Sequence, residues 1–169
     1  MTLNEAARET VRLLREKGLF IVVMESCTGG RMTDTLTNVV GASTVLRESY
    51  VTYSNDAKVA QGVDPKVIEN YGVYSFDCAM AMAETAMLSV LADKERTVGV
   101  GITGRLSRLD PANPGGTTGE VFIAVRIWDR GSKVVRVVVD EEDRSLAKAA
   151  VVHKALTLVL LPYLKGERG

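Results

Sequence analysis

Apolar residues follow two different spacings along this chain, one typical of amphipathic helices and the other of buried strands. Thr2-Leu3-Asn4-Glu5 has the form of a capping box, and apolar residues follow it at helical intervals up to Leu14. Residues 19–24 (LFIVVM) are a short apolar run rich in β-branched side chains, as in a strand buried on both faces. The pattern therefore predicts a helix that ends at Gly18 and a buried strand after it.

The next segments repeat this alternation with shorter elements. A second helix is expected after Gly30 and up to about Val40, and residues 47–54 (RESYVTYS) alternate as a strand does. Asn55-Asp56 is expected to be a turn that caps a short helix carrying Lys58. Asp64-Pro65 predicts the start of another short helix, because proline is favoured in the first helical turn.

The second half of the chain predicts the remaining layers. Apolar residues from Phe76 to Leu91 mark a long amphipathic helix, followed by a strand at 97–103 and a loop at 104–119. Residues 120–128 and 133–139 form two strands of a hairpin, and residues 143–164 form a closing helix. We therefore expect a single domain over residues 1–169 with a three-layer α/β/α fold, whose mixed sheet includes a C-terminal antiparallel hairpin.

Composition restricts the classes of partner. The 21 Lys and Arg residues balance 21 Asp and Glu residues, so no net charge attracts the chain to nucleic acid or to an acidic membrane. No uninterrupted apolar run approaches the ~20 residues that span a bilayer, and the N-terminal stretch is charged. Two cysteines do not make a disulfide framework. We expect a cytoplasmic protein with no nucleic-acid or membrane partner.

Ser26 is the first candidate for chemistry. It follows the buried strand directly and precedes Gly29-Gly30 and a helix, so free backbone N–H groups would point at a ligand bound there. Such groups bind a phosphate or stabilise an oxyanion. The alternative is that Ser26 or Thr28 only caps the helix.

A hydroxyl nucleophile needs a base, and few are available. His153 lies on the apolar stripe of the closing helix, which is typical of a packed core residue and leaves too few ligands for a zinc site. A lysine base requires a lowered pKa, and Lys58 is one candidate, although most lysines are solvated charges. Cys27 is the rival nucleophile, and in extended chain it would face away from Ser26.

Several motifs in order resemble the CinA C-terminal domain family. They are Glu25-Ser26-Cys27-Thr28-Gly29-Gly30, Gly41-Ala42-Ser43, Val51-Thr52-Tyr53-Ser54-Asn55-Asp56-Ala57-Lys58, Tyr71-Gly72-Val73-Tyr74-Ser75, Ile102-Thr103-Gly104, Gly119-Glu120-Val121 and Asp143-Arg144. They extend over nearly the whole chain. The N-terminal molybdopterin-binding-like domain that many members carry is not part of these 169 residues.

The resemblance implies an activity, because the family includes stand-alone nicotinamide-mononucleotide deamidases. It implies that Ser26 is the nucleophile and that Lys58 and Tyr53 activate it and relay the proton. It also implies a pyridine-nucleotide substrate, no cofactor or metal, and a homo-oligomer. The substrate-binding residues expected on this basis are Thr28, Gly29, Gly30, Asn55, Thr103, Gly104 and Arg144, with Arg144 on the phosphate.

The chain also departs from the family pattern. Residues 104–118 carry Arg105, Arg108 and Asp110 where members usually have an uncharged glycine-rich loop, and Glu142 replaces the glycine before Asp-Arg. The two arginines would either bind extra negative charge on the substrate or pair with Asp110 and Glu120. The alternatives are therefore an amidohydrolase for another nucleotide, a catalytically silent nucleotide-binding module, or a phosphate-ester hydrolase. The last is disfavoured, because the sequence has no evident carboxylate cluster that could bind a metal.

Overall fold

The computed structural model describes residues 1–106 and 110–167, and a five-stranded sheet lies at their centre. Its strands have the order β2-β1-β3-β4-β5, with β1 parallel to β2 and β3, and with β3–β4 and β4–β5 antiparallel. The strands are β1 (Phe20–Glu25), β2 (Leu46–Val51), β3 (Thr97–Gly104), β4 (Glu120–Ile127) and β5 (Gly131–Val138). The predicted α/β fold with a mixed sheet and a C-terminal antiparallel hairpin is confirmed.

Helices cover both faces of the sheet. They are α1 (Leu3–Glu16), α2 (Arg31–Thr37), α3 (Asn55–Gln61), α4 (Pro65–Tyr71), α5 (Phe76–Ser89), α6 (Arg144–Lys154) and α7 (Leu161–Lys165), with the π-helical segment Ala155–Leu160 between the last two. Helices α1, α2, α6 and α7 bury their apolar residues in the main core, against one face of β1, β3 and β4. Helices α4 and α5 pack on the opposite face.

The α5–β3 contact is unusually close, and the sequence of β3 explains it. A Cβ atom built on Gly99 would lie 2.0 Å from the carbonyl oxygen of Ala83, and one on Gly101 would lie 2.1 Å from that of Ala79. Ala79 and Ala83 are fully buried. Small residues on both elements therefore let the helix backbone approach the strand.

Several predicted ends and caps of the elements differ from the structure. Strand β2 ends at Val51 rather than at Ser54, because the carbonyl groups of residues 52–54 turn toward Lys58. Helix α2 ends at Thr37, before Gly41 adopts a φ of 89°. Ser54, not Asn55-Asp56, caps α3 by accepting a hydrogen bond from the Ala57 N–H at 3.0 Å.

The closing helical run contains a longer apolar stretch than the sequence pattern predicts. The continuous run Arg144–Lys165 is long and apolar enough to cross a membrane by length and composition alone, and 44% of its apolar window is buried in the protein. Its buried residues belong to the main core, as in the core helix of a globular domain. Length and composition are therefore weak evidence for a membrane span here.

Candidate active site

Residues that follow β1, β2 and β3 meet at the carboxyl edge of the parallel part of the sheet. They enclose a cavity of about 460 Å³. This is the edge at which open α/β sheets bind ligands. The predicted site residues in its wall are Ser26, Tyr53, Asn55, Lys58, Thr103, Gly104 and Arg144.

Ser26 and Lys58 form a pair at the floor of this cavity. The Lys58 Nζ atom lies 3.0 Å from Ser26 Oγ, and both residues are buried, with Lys58 only 2% exposed. Nζ also donates to the carbonyl oxygens of Thr52 at 2.8 Å and Tyr53 at 3.3 Å. The strand-to-helix connection before α3 therefore aims the amine at the serine hydroxyl.

Burial changes the acid–base behaviour of Lys58. Removal of the amine from water lowers the pKa of Lys58 below its ordinary value, while the negative charge of Asp110 opposes that shift. A lysine with a lowered pKa is the kind that can act as a base near neutral pH. The position of the Lys58 amine beside Ser26 and the lowered pKa of Lys58 therefore both suit a base.

Glu25, which the sequence analysis did not single out, fixes the turn that carries Ser26. Its fully buried carboxylate accepts hydrogen bonds from Thr28 Oγ1 at 2.6 Å and from the Met32 N–H at 2.9 Å. It also accepts from the Thr33 N–H at 3.0 Å and from Thr33 Oγ1 at 2.8 Å. A charged residue that directly follows an apolar strand was the signal that could have identified it.

This arrangement corrects one expectation about the helix that follows Ser26. The N–H groups of Met32 and Thr33 in the first turn of α2 are bound to Glu25, so they do not face a ligand. Among the hydrogen bonds of the described residues, none engages the N–H groups of Cys27 or Thr28. The backbone N–H groups that the described residues leave unused near Ser26 therefore lie before α2 rather than in its first turn.

The glycine turn lies beside the cavity rather than in its wall. Thr28 is buried with its hydroxyl on Glu25, and Gly29 and Gly30 have φ values of 58° and 96°. A Cβ atom on Gly29 would lie 3.3 Å from the Nζ atom of Lys148 on α6. The lining residues of the cavity do not include these three predicted substrate-binding positions.

Tyr53 and Arg144 meet at the mouth of the cavity. The Tyr53 side chain is 62% exposed, and its hydroxyl lies 3.5 Å from a terminal guanidinium nitrogen of Arg144. The contact of Tyr53 with the Ser26–Lys58 pair runs through its main-chain carbonyl, which is 3.4 Å from Ser26 Oγ. The structure thus places the phenol near the entrance and the peptide group near the nucleophile.

The divergent loop packs against the opposite wall. Asn113 and Asn55 exchange two side-chain amide hydrogen bonds of 2.9 and 3.2 Å, and the Tyr74 hydroxyl donates to the Asp110 carboxylate. That hydrogen bond lowers the pKa of Asp110. Thr103 donates to the Val73 carbonyl at 2.8 Å, which ties β3 to the same wall.

Arg105 is engaged by the loop itself. Its guanidinium group donates to the carbonyl oxygens of Pro114, Gly115 and Gly116 at 3.2, 2.7 and 3.3 Å. Glu120, the partner that the sequence suggested for the loop arginines, forms a salt bridge of 2.7 Å with Arg136. Arg108 lies outside the described residues.

Cys27 and His153 are the remaining candidates from the sequence. Cys27 also contributes to the cavity wall, because residues 26–30 form a turn in which the alternation of extended chain does not apply. Burial raises the pKa of the Cys27 thiol to about 12, which disfavours a thiolate. A ring nitrogen of His153 lies 2.9 Å from the Met1 carbonyl, away from the cavity. Within residues 1–106 and 110–167, no three His, Cys, Asp or Glu side chains cluster as metal ligands.

Solved structures share this fold. A CinA superfamily protein from Klebsiella pneumoniae superposes with a TM-score of 0.85 at 20% identity, over 98% of this chain and 99% of that one. A competence/damage inducible protein from Agrobacterium tumefaciens has a TM-score of 0.80 at 28% identity, over 96% of this chain and 95% of that one.

Sequence comparisons agree with the structural ones. A competence-damage inducible protein of Alkaliphilus metalliredigens is 34% identical over 173 residues, which cover 99% of this chain and 37% of the relative. A protein of the same description from Caldicellulosiruptor saccharolyticus is 44% identical over 92 residues, 53% of this chain and 22% of the relative. The chain therefore spans less than two fifths of these relatives. The family model for the CinA C-terminal domain matches residues 3–161, and the chain belongs to that family.

Proposed function

We propose that this chain is a serine amidohydrolase that converts nicotinamide mononucleotide to nicotinic acid mononucleotide and ammonia. The observation that carries the proposal is the buried amine of Lys58, 3.0 Å from the hydroxyl of Ser26 in the wall of a cavity. A buried lysine beside a serine is a nucleophile–base pair that needs no histidine. Membership of the family supports the same reaction class.

The pair can carry out both halves of an amide hydrolysis. Neutral Lys58 takes the proton from Ser26 Oγ as that oxygen attacks the carboxamide carbon. The resulting ammonium returns the proton to the nitrogen of the collapsing tetrahedral intermediate, so the C–N bond breaks, ammonia leaves and an acyl ester remains on Ser26. Water then attacks the ester with Lys58 again as base, which releases the carboxylate and restores the serine.

Backbone groups next to the nucleophile suit the charge that develops in these steps. The N–H groups of Cys27 and Thr28 are the donors nearest to Ser26 in the chain that the described residues leave unused. In acyl transfer, the N–H of the residue after the nucleophile commonly stabilises the oxyanion. We assign that role to the N–H of Cys27, which lines the cavity.

Arg144 at the mouth supports a substrate with a phosphate. Its guanidinium group lies beside the Tyr53 hydroxyl at the entrance, where a nucleotide would leave its charged end while its amide reaches Ser26. Guanidinium groups bind phosphate bidentately. We assign Tyr53 to the same entrance, where its phenol and the arginine contact the nucleotide together.

An ammonia-release assay tests the proposal. The wild-type chain should release ammonia from nicotinamide mononucleotide, faster than from nicotinamide riboside or free nicotinamide. Ser26→Ala should abolish the activity, while Cys27→Ser, the matched control at the neighbouring position, should keep most of it. Activity that is lost in Cys27→Ser and kept in Ser26→Ala would contradict the assignment of the nucleophile.

A second candidate is an amidohydrolase for a different amide-bearing nucleotide. The Asn113–Asn55 and Asp110–Tyr74 contacts give the cavity a polar wall from the loop in which the chain departs from its family. The same assay with other amide-bearing nucleotides distinguishes the two candidates. Binding of a nucleotide without ammonia release from any substrate would instead support a silent nucleotide-binding module.

A further inference from the structure

The fully buried carboxylate of Glu25 lies between the strand that leads to Ser26 and the helix that follows it. All four of its donors come from the turn and the first turn of α2: the hydroxyls of Thr28 and Thr33 and the N–H groups of Met32 and Thr33. A buried carboxylate is tolerated only where such donors replace water. Its position is therefore tightly determined by its surroundings.

The main chain at the same point is anchored in the sheet. The Ser26 N–H donates to the Ile102 carbonyl on β3 at 3.0 Å, and the Glu25 carbonyl accepts from the Thr52 N–H at 2.9 Å. The strand end is thus held by its two neighbouring segments, and the Glu25 side chain holds the other end of the turn. Ser26 lies between these two fixed points.

The network also reaches the segment that holds the base. Thr33 Oγ1, a donor to Glu25, forms a second hydrogen bond with Ser49 Oγ on β2. Strand β2 continues into Thr52, whose carbonyl accepts from Lys58 Nζ at 2.8 Å. One series of contacts therefore connects the turn that carries Ser26 with the segment that binds Lys58.

We propose that Glu25 is a positioning residue that sets the separation of Ser26 Oγ and Lys58 Nζ. This inference depends on the proposed function, since it assumes that this separation matters for acyl transfer. Glu25 is not among the residues that line the cavity, and it acts through the turn. If it only capped α2, its loss would lower stability and leave turnover in the folded protein unchanged.

Glu25→Gln separates these two roles, because it keeps the shape and removes the carboxylate. Whichever oxygen the glutamine amide nitrogen replaces, it cannot accept from the backbone N–H of Met32 or of Thr33, so the turn loses one of its fixed points. We expect kcat to fall by about 100-fold, as for a reacting group displaced by about 1 Å, with KM within about twofold. Asp64→Ala, which removes the carboxylate that caps α4, is the matched control and should lower thermal stability with kcat unchanged.

Thr33→Val tests the same network with a milder change. It removes one hydroxyl donor to Glu25 and the contact with Ser49, and keeps the Thr33 N–H. We expect a kcat loss of about 3- to 10-fold with unchanged KM, a fraction of the effect of Glu25→Gln. If Glu25→Gln does not fold, the kcat of Thr33→Val tests the positioning role in its place.

A second readout separates failure of this inference from failure of the proposed function. A fluorophosphonate probe labels a reactive serine without a nucleotide. The labelling rate therefore reports the reactivity of Ser26 whatever its natural substrate is. If the wild-type chain releases no ammonia but is labelled rapidly by the probe, the proposed substrate is wrong. Slower labelling of Glu25→Gln than of the wild type would still support the positioning role of Glu25. The positioning role would be overturned if folded Glu25→Gln had the kcat and the labelling rate of the wild type. If Glu25→Gln is unfolded, the same result in Thr33→Val would overturn it.

Discussion

At the scale of single residues, main-chain atoms supply much of the environment of the candidate base. Lys58 Nζ is surrounded by the carbonyl oxygens of residues 52–54 as well as by Ser26 Oγ. Carbonyl groups are carried by every residue type, so no sequence motif encodes them. The identity of Lys58 could be recognised from the family motif, while the way in which it is held could not.

Tyr53 shows the same division between side chain and backbone. Its exposed phenol lies beside Arg144, and only its carbonyl approaches the pair. We therefore expect Tyr53→Phe to raise KM for the nucleotide by about 3- to 10-fold, the effect of one lost hydrogen bond, with a smaller change in kcat. Steady-state kinetics measure this split. A kcat loss of ~100-fold or more with unchanged KM would instead indicate proton relay by the phenol.

Glu25 illustrates why part of the site escaped prediction. In the sequence it is a charged residue beside a motif, and charged residues are usually exposed. Its burial depends on donors from Thr28 and from α2, which fold back on it only when strand and helix are in place. The placement of Ser26, Lys58 and Arg144 around one cavity could be predicted from the motifs of the family, whereas a supporting contact has no motif of its own.

At the scale of elements, Arg105 organises the loop that forms one wall of the cavity. Its guanidinium group holds three successive carbonyl groups of residues 114–116. Arg105→Ala should loosen this wall and raise KM by a similar factor, about 10-fold, for nicotinamide mononucleotide and nicotinamide riboside. Kinetics with both substrates check this. A KM increase confined to the phosphorylated substrate would show instead that Arg105 binds the phosphate.

The α5–β3 contact should be sensitive to a single methyl group. In Gly101→Ala the new Cβ would meet the Ala79 carbonyl oxygen at 2.1 Å, so strand and helix must move apart. We expect destabilisation of at least about 1–3 kcal/mol, the range for overpacked cores, in urea unfolding. Gly115→Ala is the control, because no atom lies within 4 Å of its added Cβ and its φ is not positive. Equal stability of the two variants would contradict the close packing.

Hydrophobic periodicity predicted the order of the helices and strands, and it failed mainly at their ends. The last residues of predicted strand 47–54 alternate as a strand does, but there the backbone leaves the sheet to bind Lys58. Periodicity records which side chains are buried, not which acceptor a peptide group finds. The π-helical segment Ala155–Leu160 was missed for the same reason, since it changes hydrogen bonding without changing the apolar stripe.

At the scale of the whole molecule, the burial of Lys58 links stability to pH. The pKa of Lys58 is lowered in the folded chain and returns to ~10.4 on unfolding, so between these values the unfolded chain binds more protons. The free energy of unfolding should therefore rise with pH through that window and fall as pH decreases. Activity should rise at the lower edge of this window, where the amine of the folded chain loses its proton, and level off above it.

Lys58→Met removes this dependence while filling similar space. Urea unfolding from about pH 6 to about pH 10 should show a smaller rise in stability for the variant than for the wild type, and the variant should be inactive. Lys154→Met, a change at the end of α6 away from the cavity, is the control and should keep both the activity and the pH dependence of the wild type. Identical pH curves for Lys58→Met and the wild type would show that Lys58 is charged in the folded protein.

The cavity is built from residues that lie far apart in the sequence, and this sets when it can form during synthesis. Ser26 follows the first strand, while Arg144 and the helical run that covers β1 and β3 come last. On the ribosome, the nucleophile and its base emerge long before the helix that seals the core beneath them. A nascent or truncated chain that ends before Arg144 therefore carries Ser26 and Lys58 without the helical run that covers β1 and β3.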